Sequence, residues 1–354
     1  MFDFSVKSSV HNYEVKFVSD VNSILKDEIN NNDAIIIDSN VKNNYPDLLK
    51  NIKTNHILIV IEANEIQKSY DKLIPIIKQL IINGFKRNHK LIGIGGGITQ
   101  DITAFIASIM YRGVKWIFFP TTLLAQGDSC IGSKTSINFD KYKNQIGGFY
   151  PANKIFINID FLDTLSNSDI QSGMGEMSHY FVIAGKEEFN NYKNNYPNII
   201  NNKKDMARTI ARSLQIKKQY IEIDEFDRNE RQIFNYGHSF GHAIESLTNY
   251  KIPHGIAVSL GMDIANFVSV KKNILPMNVR NEIRELLIQI WNGYDISNIN
   301  IDDFLDALSK DKKNVGKELR LILCKGYGKV FKEAQELNAQ FKSWLSEYFS
   351  NELV

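Results

Sequence analysis

Hydrophobic and polar positions change rhythm near residue 160. Before it, short unbroken apolar runs alternate with segments of helical spacing. Ala34-Ile-Ile-Ile-Asp38, Ile57-Leu-Ile-Val-Ile61, Leu91-Ile-Gly-Ile94 and Trp116-Ile-Phe-Phe119 lack polar alternation, which predicts strands of a sheet buried on both faces. Between the second and third, Leu73, Ile76, Ile77, Leu80 and Ile81 recur at helical spacing, so a helix is expected over 70–85, with Gly84 near its stop. Strand and helix in repetition predict right-handed βαβ units and a parallel sheet. After Ile157-Asn-Ile-Asp160 a 3.6-residue period dominates, predicting helices over roughly 168–186, 203–224, 230–248, 254–273 and 278–292. In that half only Leu319-Arg-Leu-Ile-Leu323 reads as a strand. The expected architecture is an α/β domain over 1–160, followed by a mainly α-helical domain over 161–354. Asn30-Asn-Asn32 and the Asn/Lys-rich stretch 190–202 read as solvated loops and helix surfaces. No internal repeat is evident.

Composition narrows the class without changing this picture. A length of 354 residues suits two domains. Forty-two basic residues against 40 acidic ones leave a net charge of +2, which argues against a dedicated nucleic-acid binder. Cys130 and Cys324 are too few for a disulfide framework or a cysteine-rich zinc site. No apolar run has membrane-spanning length, and Met1-Phe-Asp-Phe lacks the marks of a signal peptide. A cytoplasmic protein that binds neither membrane nor nucleic acid is expected. Four of the seven histidines fall between positions 179 and 254, and there the chemistry begins.

Gly95-Gly-Gly97 follows a strand and precedes a helix expected from about Thr99, the arrangement of an anion site at a helix start. The spacing is not G-x-G-x-x-G, so a tight turn without a ligand is the competing reading. Asp38 closes a strand, where it would accept from a ribose hydroxyl or cap a helix or turn. Asp101 would face the helix dipole or orient the glycine loop. His238 and His242 stand at i and i+4, on one helical face, and His254 follows in Pro253-His254-Gly255. Glu176, in Gly175-Glu176-Met-Ser-His179, would complete a site suited to zinc or a similar divalent ion, with a coordination position left open. Lys134 and Lys143-Asn144 read as basic and amide positions in Gly/Ser/Asn loops, as an anionic, polyhydroxylated ligand requires.

These residues occur in an order that resembles the 3-dehydroquinate synthase (sugar phosphate cyclase) family. Gly95-Gly-Gly97…Asp101, Tyr111-Arg112-Gly113, Pro120-Thr-Thr-Leu-Leu-Ala-Gln-Gly-Asp128, Lys134-Thr, Lys143-Asn144, Gly175-Glu176 and Arg231-x-x-x-Asn235-x-Gly-His238-x-x-Gly-His242 carry the resemblance. It implies a homodimeric, phosphate-eliminating lyase that uses NAD and one divalent ion, zinc or cobalt, with 1–160 as the α/β nucleotide-binding domain and 161–354 as the mainly α-helical metal- and substrate-binding domain. A heptulosonate 7-phosphate would become a carbocycle by transient oxidation, phosphate elimination, reduction and intramolecular aldol closure. It further implies Glu176, His238 and His254 as metal ligands. Asp38, Glu65, Lys68, Gly95, Gly96, Gly97, Asp101, Thr121, Thr122, Lys143, Phe161 and Thr164 would surround NAD. Asp128, Lys134, Asn144, Lys217, Arg231, Asn235, His242 and Lys312 would face substrate, and Arg112 would reach a neighbouring subunit's phosphate pocket.

The chain departs from the family pattern in three places. His179 stands where that pattern has a lysine, Ser133 replaces a glycine before Lys134, and Ile256 occupies a position where an acidic residue is common. His179 would replace the lysine's substrate contact, act as acid or base, or add a metal ligand. Two alternatives therefore accompany the main reading: a cyclase for another heptulose, amino or deoxy sugar phosphate, and a metal-dependent polyol dehydrogenase of the same architecture.

Overall fold

The computed structural model describes residues 2–353 apart from 51, 53, 54, 141 and 311–317. It divides into two compact units, one made of 1–165 with 206–226 and the other of 166–205 with 227–354.

In the first unit, β1 (Phe4–Val6), β2 (Tyr13–Phe17), β3 (Ala34–Asp38), β4 (Ile57–Ile61), β5 (Leu91–Gly95), β6 (Trp116–Pro120) and β9 (Lys154–Ile157) form one sheet. Its order is β1-β2-β9-β6-β5-β3-β4; β1 pairs antiparallel with β2, and the remaining pairs are parallel. Helices α1 (Val21–Glu28), α2 (Ser39–Asn44), α3 (Tyr70–Ile82) and α4 (Gly97–Ile109) connect the strands, and β7 (Lys134–Phe139) pairs with β8 (Tyr142–Phe149) as a separate hairpin. The predicted apolar runs are all strands, but β4 is an edge, so Val60 is 42% exposed rather than covered on both faces. From β3 the chain crosses through α2 to β4 on one side, and from β5 through α4 to β6 on the other. The carboxyl ends of β3 and β5, which carry Asp38 and Gly95–Gly97, therefore flank a topological switch point, where open parallel sheets take ligands.

Beyond 165 the chain builds α5 (Asn167–Ala184) and α6 (Lys186–Asn201), and then α7 (Lys203–Ile223) returns to the first unit. Polar contacts explain the return. Ser213 Oγ donates to the Gly127 carbonyl, Lys217 Nζ bonds Asp128, and the Glu222 carboxylate accepts from Lys7 N. The unit boundaries are thus more interleaved than one cut at residue 160. Apolar periodicity reports a helix, not the partner against which it packs.

The second unit is built around α9 (His254–Lys271), buried continuously from Gly255 to Ser269, as expected of a helix apolar on every side. Around it lie α5, α8 (His238–Leu247), α10 (Met277–Trp291) and α12 (Ala339–Asn351), with α11 (Ile301–Ser309) against α8. Strand β10 (Glu318–Cys324) pairs antiparallel with β11 (Val330–Glu336), a second strand that the polar sequence of β11 did not predict. The helix expected over 230–248 is in fact a short 3₁₀ turn, Glu230–Asn235, followed by α8. Gly237, at φ +83, takes the left-handed conformation that separates them.

Candidate metal centre and nucleotide site

Three segments of the second unit converge because glycines remove the side chains that would hold them apart. A Cβ on Gly255 would lie 1.8 Å from the Ser172 carbonyl oxygen, and one on Gly175 would lie 2.3 Å from the Gly255 carbonyl oxygen. Helices α5 and α9 therefore touch backbone to backbone, which sets Glu176 beside His254. The same device joins α8 to α9, where a Cβ on Gly261 would lie 2.0 Å from the Gly237 carbonyl oxygen.

The outcome is a compact donor set. Glu176 Oε1 lies 3.5 Å from His238 Nε2, and Glu176 Oε2 lies 3.4 Å from His254 Nε2. One ligand atom from each of the three residues lies within 4.8 Å of the others. Two ligands each about 2.1 Å from a tetrahedral zinc ion stand about 3.4 Å apart, so the spacing fits a divalent cation. Burial opposes ionisation of Glu176, but the charge and hydrogen bond of His238, then the charges of His254 and His179, prevail and hold its carboxyl below the usual range. Both histidines of the set turn Nδ1 to an acceptor: His238 to the Tyr236 carbonyl at 3.3 Å, His254 to Glu245 Oε2 at 3.1 Å. With its hydrogen on Nδ1, the neutral form of each ring presents the Nε2 lone pair on the Glu176 side.

His179 is fully buried. Its Nδ1 is 3.9 Å from Glu176 Oε1, and its ring centroid lies 4.0 Å from that of Tyr180 and 5.7 Å from that of His238. It lies beside the donor set but outside the group whose ligand atoms share the 4.8 Å limit. His242 is exposed, with its ring 5.8 Å from that of His254. Arg231 is buried in the 3₁₀ turn, and Asn235 Nδ2 donates to the Gln232 carbonyl at 2.9 Å. Lys312 lies outside the described residues.

In the first unit the glycine turn is set by threonines. A Cβ on Gly95 would lie 2.3 Å from Thr99 Oγ1, and one on Gly96 would lie 2.8 Å from Thr122 Cγ2; at Gly97 the nearest atom is 3.9 Å away. Packing alone therefore accounts for two of the three glycines, and α4 begins at Gly97, two residues earlier than expected. Thr121 N donates to the Gly95 carbonyl at 3.0 Å, which ties β6 to the turn.

Residues 58–172 match the family described as 3-dehydroquinate synthase N-terminal, and residues 173–314 the one described as 3-dehydroquinate synthase C-terminal. A 3-dehydroquinate synthase of Dictyoglomus thermophilum is 39% identical over 276 residues, 77% of each chain. The chain belongs to the 3-dehydroquinate synthase family. Two solved structures share the fold at lower identity. A 2-epi-5-epi-valiolone synthase from Streptomyces hygroscopicus with NAD+ and Zn2+ bound superposes with a TM-score of 0.87 at 21% identity, covering 99% of both chains. A 2-deoxy-scyllo-inosose synthase complexed with carbaglucose-6-phosphate, NAD+ and Co2+ gives 0.84 at 20% identity, covering 99% of this chain and 100% of the other.

Against the 3-dehydroquinate synthase pattern, several residues occupy settings that the sequence left open or did not disclose. Asp38 does cap a helix: its Oδ1 accepts from Asn40 N at 2.9 Å, and burial raises its carboxyl above the ordinary value. Asp101 serves neither the helix dipole nor the glycine loop in the contacts it makes. It pairs with Lys68 Nζ at 2.7 Å and accepts from Ser136 N at 2.9 Å, so it joins α4 to the β7–β8 hairpin. Burial raises the Asp101 carboxyl, and the Lys68 charge opposes the rise. Glu65 accepts from Asn138 Nδ2 at 2.7 Å and lies 3.8 Å from Lys143 Nζ, extending the tie. Lys134, Lys143 and Asn144 thus sit on a hairpin rather than in loops; Asn144 is left-handed at φ +56, and its N donates to Asn138 Oδ1. Asp128 Oδ1 is 2.7 Å from Lys217 Nζ. Phe161 is buried in the apolar core against Tyr45, whose hydroxyl lies 3.3 Å from Thr164 Oγ1. Arg112 and Tyr111 are consecutive left-handed residues, at φ +66 and +51, a strained presentation of an exposed arginine. Glu245 was missed. Its signal was helical register, three residues after His242 and seven after His238.

Proposed function

We propose that the chain is a 3-dehydroquinate synthase that converts a heptulosonate 7-phosphate to a carbocycle with release of phosphate, using NAD and one divalent metal ion, zinc or cobalt. The observation that carries the reading is the Glu176, His238 and His254 donor set, whose spacing suits an ion with a position left for substrate. Held there, an ion would supply Lewis acidity to substrate hydroxyls, and bound NAD would supply a reversible hydride acceptor with no net redox change.

The chain's own residues bind and orient. Arg231, buried and planar, clamps the substrate carboxylate, assisted by Lys217. Lys134, Asn144, His242 and Lys312 hold the phosphate, and Asp128 fixes the Lys217 ammonium through its carboxylate and carbonyl. Asn235 orients substrate from the end of its 3₁₀ turn. The Gly95–Gly97 turn, with Thr121, Thr122 and Asp38, receives the dinucleotide at the switch point, and the Glu65, Lys68, Asp101 and Lys143 cluster supports it. Among the described residues no helix is long and apolar enough to cross a membrane. We place the protein in the cytoplasm as a homodimer, with Arg112 reaching the partner subunit.

A second reading, a cyclase for a different sugar phosphate, draws on His179, buried beside Glu176 where the family pattern has a lysine. Phosphate release from 3-deoxy-arabino-heptulosonate 7-phosphate and from sedoheptulose 7-phosphate, measured side by side in wild type and His179→Lys, separates the two. Preference for the carboxylated substrate in wild type supports the synthase. Preference for sedoheptulose 7-phosphate that reverses in His179→Lys supports the second reading.

A further inference from the structure

The His254 ring spans two carboxylates. Its Nε2 is 3.4 Å from Glu176 Oε2, and its Nδ1 is 3.1 Å from Glu245 Oε2. A neutral imidazole carries one N–H. With the hydrogen on Nδ1 the ring donates to Glu245 and leaves the Nε2 lone pair on the Glu176 side; with it on Nε2, an N–H would point where an ion has to sit. His254 is one-third exposed in the first turn of α9, so packing restrains it less than His238, which is 13% exposed. His238 obtains its tautomer from a backbone carbonyl, that of Tyr236. His254 obtains it from a side chain, Glu245, which is 14% exposed and projects from α8, the helix that also carries His238.

We propose that Glu245 is the positioning residue of the metal centre, fixing the ring orientation and tautomer in which His254 binds an ion through Nε2. The proposal rests on the metal-dependent reading above. A carboxylate behind a ligand histidine also strengthens the imidazole as a donor, and removing such a partner typically weakens metal binding 10- to 100-fold. A competing use of the same side chain exists, because His242, Glu245 and His254 also bring ligand atoms within 4.8 Å of one another. Filling that set while Nε2 of His254 binds the first ion would require the ring to lose both protons. The hydrogen-bonded role needs no such step.

The test is zinc binding by the full chain, measured by competition with a chromophoric chelator, with stoichiometry from elemental analysis and the visible spectrum of the cobalt(II) form. Wild type is expected to bind one zinc per chain. Glu245→Ala should weaken zinc binding 10- to 100-fold, and Glu245→Gln, which keeps an acceptor without the charge, by less. Both should alter the cobalt band while far-ultraviolet circular dichroism stays that of wild type. In a His254→Ala background, adding Glu245→Ala should change zinc affinity less than twofold, because the ring through which Glu245 acts is gone. Equal losses in both backgrounds would overturn the proposal. So would variant affinities within twofold of wild type, or two ions in wild type falling to one in Glu245→Ala. Wild type that binds no zinc or cobalt at all would instead sink the metal-dependent reading.

Discussion

Gly255→Ala tests how the metal centre is assembled. The added Cβ would lie 1.8 Å from the Ser172 carbonyl oxygen, and also 2.8 Å from Glu176 N. Since Cβ contacts under 3.0 Å are essentially never seen, α5 and α9 must separate by about 1.2 Å. Two effects compete. Alanine gains at most about 1 kcal/mol over glycine in a helix interior, and less in a first turn. Forcing a methyl group into packed surroundings costs about 1–3 kcal/mol, and here the obstacle is backbone that cannot swing aside. The clash should win, leaving the variant about 1–2 kcal/mol less stable. Moving α9 away by that amount would stretch the 3.4 Å gap between Glu176 and His254 to roughly 4.6 Å, too wide for two ligands of one tetrahedral ion at about 2.1 Å each. Urea denaturation of the metal-free chain, with zinc titration of the native form, measures both consequences. Unchanged zinc affinity with stability at or above that of wild type would refute the argument.

Other predictions address the remaining framework. Arg280→Ala leaves Asp263, fully buried on α9, without a partner 3.1 Å away; a loss of about 3–5 kcal/mol in denaturation is expected, softened to the extent that Arg284 and Tyr348 hold the charge. Burial opposes ionisation of Glu352, but hydrogen bonds and charge from Arg280, then Arg284, overcome it and lower its carboxyl. Its contribution is therefore present above the unfolded value of about 4.3 and fades as pH falls through the lower folded value. The stability gap between wild type and Glu352→Gln should be open at pH 6 and shrink at pH 3; a gap that does not change with pH contradicts this. At Gly97 a methyl group has room, so Gly97→Ala should keep or slightly raise thermal stability. Any loss of NAD affinity measured by calorimetry then reports the ligand rather than the fold, and a lowered melting temperature would contradict the packing argument.

What the sequence disclosed follows from where the burial is. Strands β3, β5 and β6 are buried along their whole length and show as unbroken apolar runs. By contrast, β8 is half exposed and polar, so its hairpin left no hydrophobic trace, and Lys143 and Asn144 read as loop residues. Helix α6 lies within an Asn-rich stretch, yet it is anchored by Phe189, Tyr192, Tyr196 and Ile199, four buried positions among solvated ones. Helical spacing drew attention to His238 but paired it with His242, whereas the set of Glu176, His238 and His254 came from the family resemblance. Glu245 and the glycine contacts between helices were not legible. Both depend on which helices touch, and a single helix's pattern does not contain that information.

A phosphate-eliminating cyclase of this kind recycles its own NAD. The most direct measurement supplies 3-deoxy-arabino-heptulosonate 7-phosphate to the zinc- or cobalt-loaded protein with substoichiometric NAD, and follows phosphate, the carbocyclic product and NADH together. Phosphate and carbocycle are expected in equal amounts over many turnovers per NAD, with no lasting NADH. Stoichiometric accumulation of NADH without phosphate release would contradict this and identify a dehydrogenase instead.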